Sequence, residues 1–119
     1  GVATALANEL ALRPFVLDDG RRALYHAGAA IASNYLVTLR RAAGQLLAEA
    51  DVPAEALDPL MRRVIENGFQ LTGPIERGDW ETVERHRAAI TEHAPELLAA
   101  YDELARLTAR DAVLQGEPA

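Results

Sequence analysis

The sequence predicts an all-α protein, and three observations support this. The apolar half of the composition is mostly alanine and leucine, which are strong helix formers, with few aromatic or β-branched residues. Apolar residues recur at helical intervals over most of the chain. Proline, glycine and aspartate separate the periodic segments, as is typical of helix ends. The length of 119 residues suits a single domain.

The segment before residue 19 is expected to be a remnant of another domain. Leu6 and Leu10 have helical spacing, and Pro14 ends that helix because it restricts the preceding residue to extended geometry. Residues 14–17 then predict a short strand, which is a liability in a helical domain unless a sheet pairs with it. The chain also opens without methionine. We therefore expect residues 1–18 to belong to a preceding domain and residues 19–119 to form the helical domain.

One long helix is predicted from about Arg21 to Ala50, because no proline intervenes and the apolar residues keep helical spacing. The next helix is predicted to begin with Asp58 as its N-cap and Pro59 at the first helical position. It is expected to end at residues 67–68, an Asn-Gly pair.

The last two helices have clear start signals. Asp79 is the expected N-cap of a helix from Trp80 to about His93, and Pro95 is expected to start the final helix. Residues 69–79 form the main irregular segment between helices.

Charge and composition exclude several classes of function. Twelve basic against eighteen acidic residues give a net charge of −6 with no basic stripe, so nucleic acid is not an expected partner. The chain has no cysteine, which suits a reducing compartment. No apolar run is long enough for a membrane span, and no signal peptide is recognisable. We expect a cytoplasmic protein without membrane contact.

Residues 25–34 are mostly small and carry polar side chains towards the ends of the segment. A helix of such residues allows close approach of another helix or a ligand, although Gly28 loses roughly 1 kcal/mol of helix propensity relative to alanine. Tyr25 opens the segment. His26, Ser33 and Asn34 fall near one stripe about 12 Å long, a suitable lining for a polar ligand site. The alternative is that these polar groups bond to neighbouring backbone.

The second candidate site is the irregular segment that contains Thr72, Gly73, Pro74, Arg77 and Asp79. Thr72 can cap a turn that begins at Pro74, Gly73 permits close backbone approach, and free amides there can receive an anion. Arg77 would add a forked donor. The alternative is a tight connector in which Arg77 and Asp79 only pair with or cap their neighbours.

Other polar and aromatic residues are interpreted as structural. His86 and His93 are nearly two helical turns apart, too far to share one metal ion without other ligands, and a solvated face is expected. No metal site is predicted. Trp80 and Tyr101 are expected to anchor the core.

Two motifs together resemble those of a bacterial family of two-domain proteins. They are YHAGAAIASNYL at residues 25–36 and LTGPIERGD at residues 71–79, the latter followed by TVERH at residues 82–86. Members of this family resemble pyrroline-5-carboxylate reductase and ketopantoate reductase, and they join an N-terminal Rossmann domain to a helical domain of unknown function. The resemblance covers about residues 6–107.

The resemblance implies a helical bundle of the type found in the C-terminal domain of 6-phosphogluconate dehydrogenase. It also implies NAD(P) on the preceding Rossmann domain and none on this chain, which lacks the glycine-rich fingerprint. In related oxidoreductases the helical domain dimerises and closes the substrate side of the cleft. A homodimer acting on a small molecule is therefore expected.

One difference from those enzymes concerns the catalytic acid. In β-hydroxyacid dehydrogenases and ketopantoate reductases a catalytic lysine precedes an asparagine by four residues. If Asn34 corresponds to that asparagine, Ala30 occupies the lysine position and cannot donate a proton. His26, one turn earlier, is the hypothesised general acid, with Asn34 orienting the substrate.

The resemblance favours a dimerisation and substrate-side domain of an NAD(P)-dependent oxidoreductase, inactive as an isolated fragment. The first alternative is a non-catalytic dimerisation or metabolite-sensing module attached to a nucleotide-binding domain, which Ala30 favours. The second alternative is a free-standing helical interaction domain.

Overall fold

The computed structural model describes residues 17–116, and all regular structure in that range is helical. The predicted all-α class is confirmed. The chain divides into two compact units, residues 1–37 and 38–119. The helix and most of the strand that were expected before residue 18 lie outside the described residues.

The first described helix, α1, spans Asp19–Ala32. It begins two residues before the expected start because the Asp18 carboxylate accepts a hydrogen bond from the backbone N–H of Arg21 at 2.8 Å. An aspartate at this position satisfies one of the free N–H groups of the first turn. Asp18 is therefore the N-cap, and Asp19 and Gly20 belong to the first turn of the helix.

The prediction of one long helix to Ala50 is wrong, because Ser33 interrupts it between α1 and α2. At Ser33 the backbone leaves helical geometry, with φ −120° and ψ −68°. The Ser33 hydroxyl donates to the carbonyl of Ala29 at 2.5 Å, and the Ser33 N–H donates to the same oxygen at 3.0 Å. A serine that bonds back to the preceding turn bends or breaks a helix in this way.

Helix α2 spans Asn34–Glu49, and the boundary between the two units falls within it. After α2 the chain turns through a short 3-10 segment, Ala54–Leu57. Gly44 lies close to this segment, because a Cβ placed there would lie 3.1 Å from the Cβ of Ala54. Glycine at this position lets α2 and the 3-10 segment pack closely.

Helix α3 spans Asp58–Glu66, so Asp58 lies inside the helix and is not its N-cap as predicted. Leu57 occupies the cap position without a side-chain hydrogen bond. The Asp58 carboxylate instead accepts from Nε of Arg40 at 3.0 Å, which ties α3 to the part of α2 in the second unit. The predicted end of the helix at Asn67 and Gly68 is confirmed.

Helix α4 spans Trp80–His93 with Asp79 as its N-cap, as predicted. The Asp79 carboxylate accepts from the backbone N–H of Thr82 at 3.2 Å and from the Thr82 hydroxyl at 2.7 Å, and these bonds lower the pKa of Asp79. A 3-10 turn at Pro95–Leu97 then leads into the last helix, α5, which spans Leu98–Gly116.

The buried core of the described residues consists of Val83, Ile90 and Ala94. Trp80, expected in the core, is 52% exposed because it lies at the first position of α4. Helices α4 and α5 are joined by Arg87, whose Nε and Nη2 donate to the two carboxylate oxygens of Asp102 at 2.7 and 3.0 Å. A forked, two-point pair of this kind fixes the orientation of both side chains.

Within residues 17–116 no helix combines the length and the apolar content that crossing a bilayer requires.

The contact at Gly44 predicts a position-specific loss of stability. Gly44→Leu places a branched side chain against Ala54, and overpacking of this kind costs about 1–3 kcal/mol in the free energy of unfolding. Ala48→Leu, at an exposed position one turn later, is the control and should change stability by less than about 0.5 kcal/mol. Urea denaturation measures both. Equal stability of the two variants would contradict the close approach.

The Arg87–Asp102 pair predicts a specific acid sensitivity. The hydrogen bond from Arg87 lowers the pKa of Asp102, so on acidification the unfolded chain takes up this proton before the folded chain does. The pair therefore stabilises the fold above the ordinary aspartate pKa of about 3.9, and its contribution is lost as pH falls through the lower folded value.

Asp102→Asn should thus lose less stability than the wild-type chain between about pH 5 and pH 3. Urea denaturation over that range measures the difference. Asp111→Asn, which removes an exposed carboxylate of α5 whose ion pair within residues 17–116 is with its neighbour Arg110, is the control and should follow the wild-type slope.

Candidate functional site

The two predicted sets of site residues belong to different compact units. Tyr25, His26, Ser33 and Asn34 lie in the first unit, and the segment from Thr72 to Asp79 lies in the second.

On α1, His26 is exposed and Tyr25 is half-buried. Their rings meet edge to face, with centroids 5.9 Å apart and an angle of 62° between the ring planes. The Ser33 hydroxyl already bonds to the carbonyl of Ala29. Ser33 thus bonds to the neighbouring backbone, as the alternative to a ligand site predicts. The imidazole of His26, by contrast, is exposed to solvent.

Residues 23–39 carry no Asp, Glu, Lys or Arg, and all of them except Tyr25 and Ala30 are exposed. Leu24 is 75% exposed and Ile31 is 62% exposed. At 100° per residue, Leu24, Gly28 and Ile31 share one side of α1, and His26 and Ala30 lie on nearly the opposite side. From residue 23 to its end the helix therefore has an apolar side and a polar side, and neither side of this part carries a charge; the charged residues of α1, Asp19, Arg21 and Arg22, lie in its first turn.

The segment at residues 72–79 forms a compact turn. The N–H groups of Arg77, Gly78 and Asp79 donate to carbonyls three to five residues earlier at 2.8–3.2 Å. Gly73 has φ +99°, a conformation that residues with a Cβ rarely adopt. The Asp79 carboxylate caps α4 and lies 4.0 Å from Nη2 of Arg77. Arg77 thus pairs with Asp79, and Asp79 caps α4, as expected if the segment is a tight connector between helices. Thr72 is exposed.

A contact that the sequence did not predict fixes the start of this turn. The side-chain amide of Gln115, near the end of α5, accepts from the backbone N–H of Leu71 at 2.7 Å and donates to its carbonyl at 3.2 Å. The amide thereby satisfies both backbone groups of Leu71, as a neighbouring strand would.

The second unit also contains a groove of about 520 Å³ between α2, α4 and α5. Its apolar lining is formed by Leu46, Ala50, Ala89 and Ile90. A cavity of this size falls within the usual range of small-molecule sites.

Four titratable side chains complete the lining of the groove: Glu49, His86, His93 and Tyr101. His86 and His93 are both exposed, as expected of a solvated face, and both also line the groove, which the sequence did not predict. Tyr101, expected in the core, is only half-buried there. These residues were missed because the groove joins parts of the chain far apart in sequence.

The two histidines have different neighbours. Nδ1 of His86 lies 2.9 Å from the hydroxyl of Tyr101, whose pKa is raised chiefly by burial and then by the nearby carboxylate of Asp102. Nδ1 of His93 lies 3.8 Å from Oε2 of Glu49, and its Nε2 lies 3.8 Å from Oε2 of Glu92. One imidazole thus bonds to a phenol, and the other lies between two carboxylates.

In the part of the chain that the structure describes, no three metal-ligating side chains are grouped closely enough to hold an ion. All twelve basic residues of the full sequence are arginines. A lysine acid for carbonyl chemistry is therefore absent from this chain at every position, not only at Ala30.

Comparison with known proteins identifies the family. No curated protein and no solved structure matches the chain. Residues 1–108 match the family described as "Domain of unknown function (DUF2520)". This match covers most of the 119 residues, and the chain therefore belongs to the DUF2520 family.

Proposed function

We propose that this chain is the dimerisation and substrate-side domain of an NAD(P)-dependent oxidoreductase of two domains. Two observations support the proposal: the two sequence motifs resemble those of a family of two-domain proteins, and α1 has an exposed, uncharged surface. It assigns the chain a helical bundle of the 6-phosphogluconate dehydrogenase type, assembled as a cytoplasmic homodimer. The isolated chain is expected to have no activity.

The observation that carries the proposal is the uncharged, exposed run at residues 23–39. A quarter of the whole chain is charged, so a run of this length without charge is unusual for a solvated helix. Exposed apolar faces of this kind mark contact surfaces. We assign the side with Leu24, Gly28 and Ile31 to a second copy of the chain, and the side with His26 to the substrate.

The small residues support close packing at that contact. A Cβ at Gly28 would meet nothing within 4 Å, so the space beside the glycine is open. Leu24 and Ile31 flank this space one turn away on either side. Large side chains of a partner helix fit into such a gap, and this is the usual knobs-into-holes arrangement of paired helices.

We assign the NAD(P) site to the preceding domain and not to this chain. Residues 17–116 contain no strand leading through a glycine-rich turn into a helix, the arrangement that holds a dinucleotide pyrophosphate. The cofactor on that domain would supply the hydride. The role of this chain is to hold the substrate and to deliver the proton that the carbonyl oxygen needs when it becomes an alcohol.

His26 is the proposed proton donor, and Asn34 is the proposed orienting group. The imidazole is exposed on the polar side of α1, and its contact with the edge of Tyr25 restricts the ring. An imidazole is suited to proton transfer near neutral pH. Tyr25 is a further proposed substrate contact beside His26 on α1, and the segment from Thr72 to Asp79, in the second unit, stays a separate proposed contact.

The alternative function is a non-catalytic dimerisation or metabolite-sensing module attached to a nucleotide-binding domain. The absence of lysine from the whole chain favours it, because lysine is the acid that related reductases use. The two functions share the dimer and differ in turnover.

Ile31→Glu tests the dimer. Two glutamates facing each other across the contact would repel and would lose their water, so the natural full-length protein should become monomeric. Ile31 is 62% exposed in the single chain, so the fold itself should tolerate the change. Ala29→Glu, an exposed position well away from the Leu24–Ile31 side of α1, is the matched control and should remain dimeric.

Light scattering during size-exclusion chromatography, over a hundredfold range of protein concentration, gives the mass. A wild-type monomer throughout that range would exclude the proposed dimer. A dimeric Ile31→Glu variant would exclude this side of α1 as its contact.

His26→Asn tests catalysis in the natural full-length protein. Loss of a general acid should lower kcat by about 10²–10⁴-fold with NADPH binding unchanged. The alkaline limb of the pH–rate profile should also disappear, because that limb reports deprotonation of the acid. NADPH oxidation with a panel of small carbonyl compounds measures the rate.

Ala88→Asn, at an exposed position of α4 outside the groove lining, is the control and should keep the wild-type rate. An unchanged rate in His26→Asn would remove the assignment of the acid. No NADPH oxidation with any carbonyl compound, in a protein that still binds NADPH, would favour the sensing module.

A further inference from the structure

The groove of the second unit has a polar group at each end and an apolar middle. His86 and His93 are seven residues apart on α4, which separates them by about 10 Å along the helix axis. Ile90, which is 4% exposed, and Ala89 lie between them. A ligand that fits this groove has an apolar body and a polar group that matches one of the ends.

The charge at the His93 end is negative. The Glu49 carboxylate is 48% exposed, and its ionic contact in the described residues is with His93, not with an arginine. A second carboxylate, Glu92, lies on the other side of the same imidazole. Arg87, on the same helix, is already engaged by Asp102 and Glu84. A cation therefore finds a carboxylate partner here, and an anion does not.

The His86 end of the groove carries a hydrogen-bonded pair. The Tyr101 hydroxyl, whose pKa is raised chiefly by burial, lies 2.9 Å from Nδ1 of His86. When the hydroxyl donates to Nδ1, Nε2 is the ring nitrogen that carries a proton and can donate. The nearby charges of Arg87 and Asp102 are paired with each other, so this end suits an uncharged acceptor or the end of an apolar body.

We propose that the groove between α2, α4 and α5 binds a small primary amine with an apolar body. The ammonium group lies at Glu49, and the body lies along Ala89 and Ile90. This site is independent of the α1 contacts assigned above, because all its lining residues belong to the second unit.

The three histidines of the chain allow a direct test by NMR on the full chain. Hexylamine, which is protonated at pH 7 like the lysine side chain, should shift the ring signals of His86 and His93 at millimolar concentration. His26, outside the groove, is the internal control and should not shift. Hexanol should bind at least threefold more weakly, and hexanoate should not bind.

Two pairs of variants test the geometry. Ala89→Leu fills the groove and should abolish the shifts, whereas Ala88→Leu, exposed on the same helix but outside the lining, should keep them. Glu49→Gln should weaken hexylamine binding about two- to fivefold, as expected for a partly exposed ion pair. Glu92→Gln, next to His93 but outside the groove lining, should weaken hexylamine binding less than Glu49→Gln does.

Several results would overturn the proposal. If hexanoate or hexanol bound as tightly as hexylamine, the groove would have no preference for a cation. Equal shifts of all three histidines would show nonspecific contact. Shifts of His86 and His93 that follow protein concentration instead of amine concentration would assign the groove to a second copy of the chain. These results are independent of the dimer proposal, which the mass of the Ile31→Glu variant tests.

Discussion

The second unit depends on one small buried cluster, formed by Val83, Ile90 and Ala94. All three belong to α4 or follow its last residue, so α4 is the helix around which the unit is built. Burial of three side chains contributes only a few kcal/mol, at about 25 cal/mol per Å² of apolar surface. The orientation of α5 therefore depends strongly on polar contacts, chiefly the two-point pair between Arg87 and Asp102. In the part of the chain that the structure describes, most large apolar side chains therefore stay at least partly exposed on the sides of the helices.

Local signals predicted the helix ends that local contacts determine. Asp79 caps α4 as expected because its partner, Thr82, lies three residues away. Asp58 looked like an equally good cap, but its carboxylate bonds to Arg40, eighteen residues away, and no local pattern shows that competition. The interruption at Ser33 was missed for another reason. Its hydroxyl bonds back to Ala29 without disturbing the apolar periodicity on which the prediction of one helix rested.

The groove residues were missed although the sequence contained a signal for them. Val83, His86, Ile90 and His93 recur at spacings of three and four, so the two histidines share a face of α4 with the two buried residues. That pattern places His86 and His93 beside the core. Their distance from each other argues against a shared metal, and an exposed position beside the core does not by itself show a groove. Glu49 lies 44 residues before His93, and only the folded chain brings them together.

The absence of lysine also constrains the substrate of the proposed reaction. His26 lies one turn before Ala30, so an acid at His26 is displaced by about 6 Å along the helix axis relative to a lysine at position 30. Asn34 begins α2, on the other side of the interruption at Ser33, so a substrate held between His26 and Asn34 spans that interruption. A substrate that receives its proton from His26 therefore places its carbonyl oxygen about one helical turn nearer the start of α1 than a substrate protonated by a lysine at position 30 would.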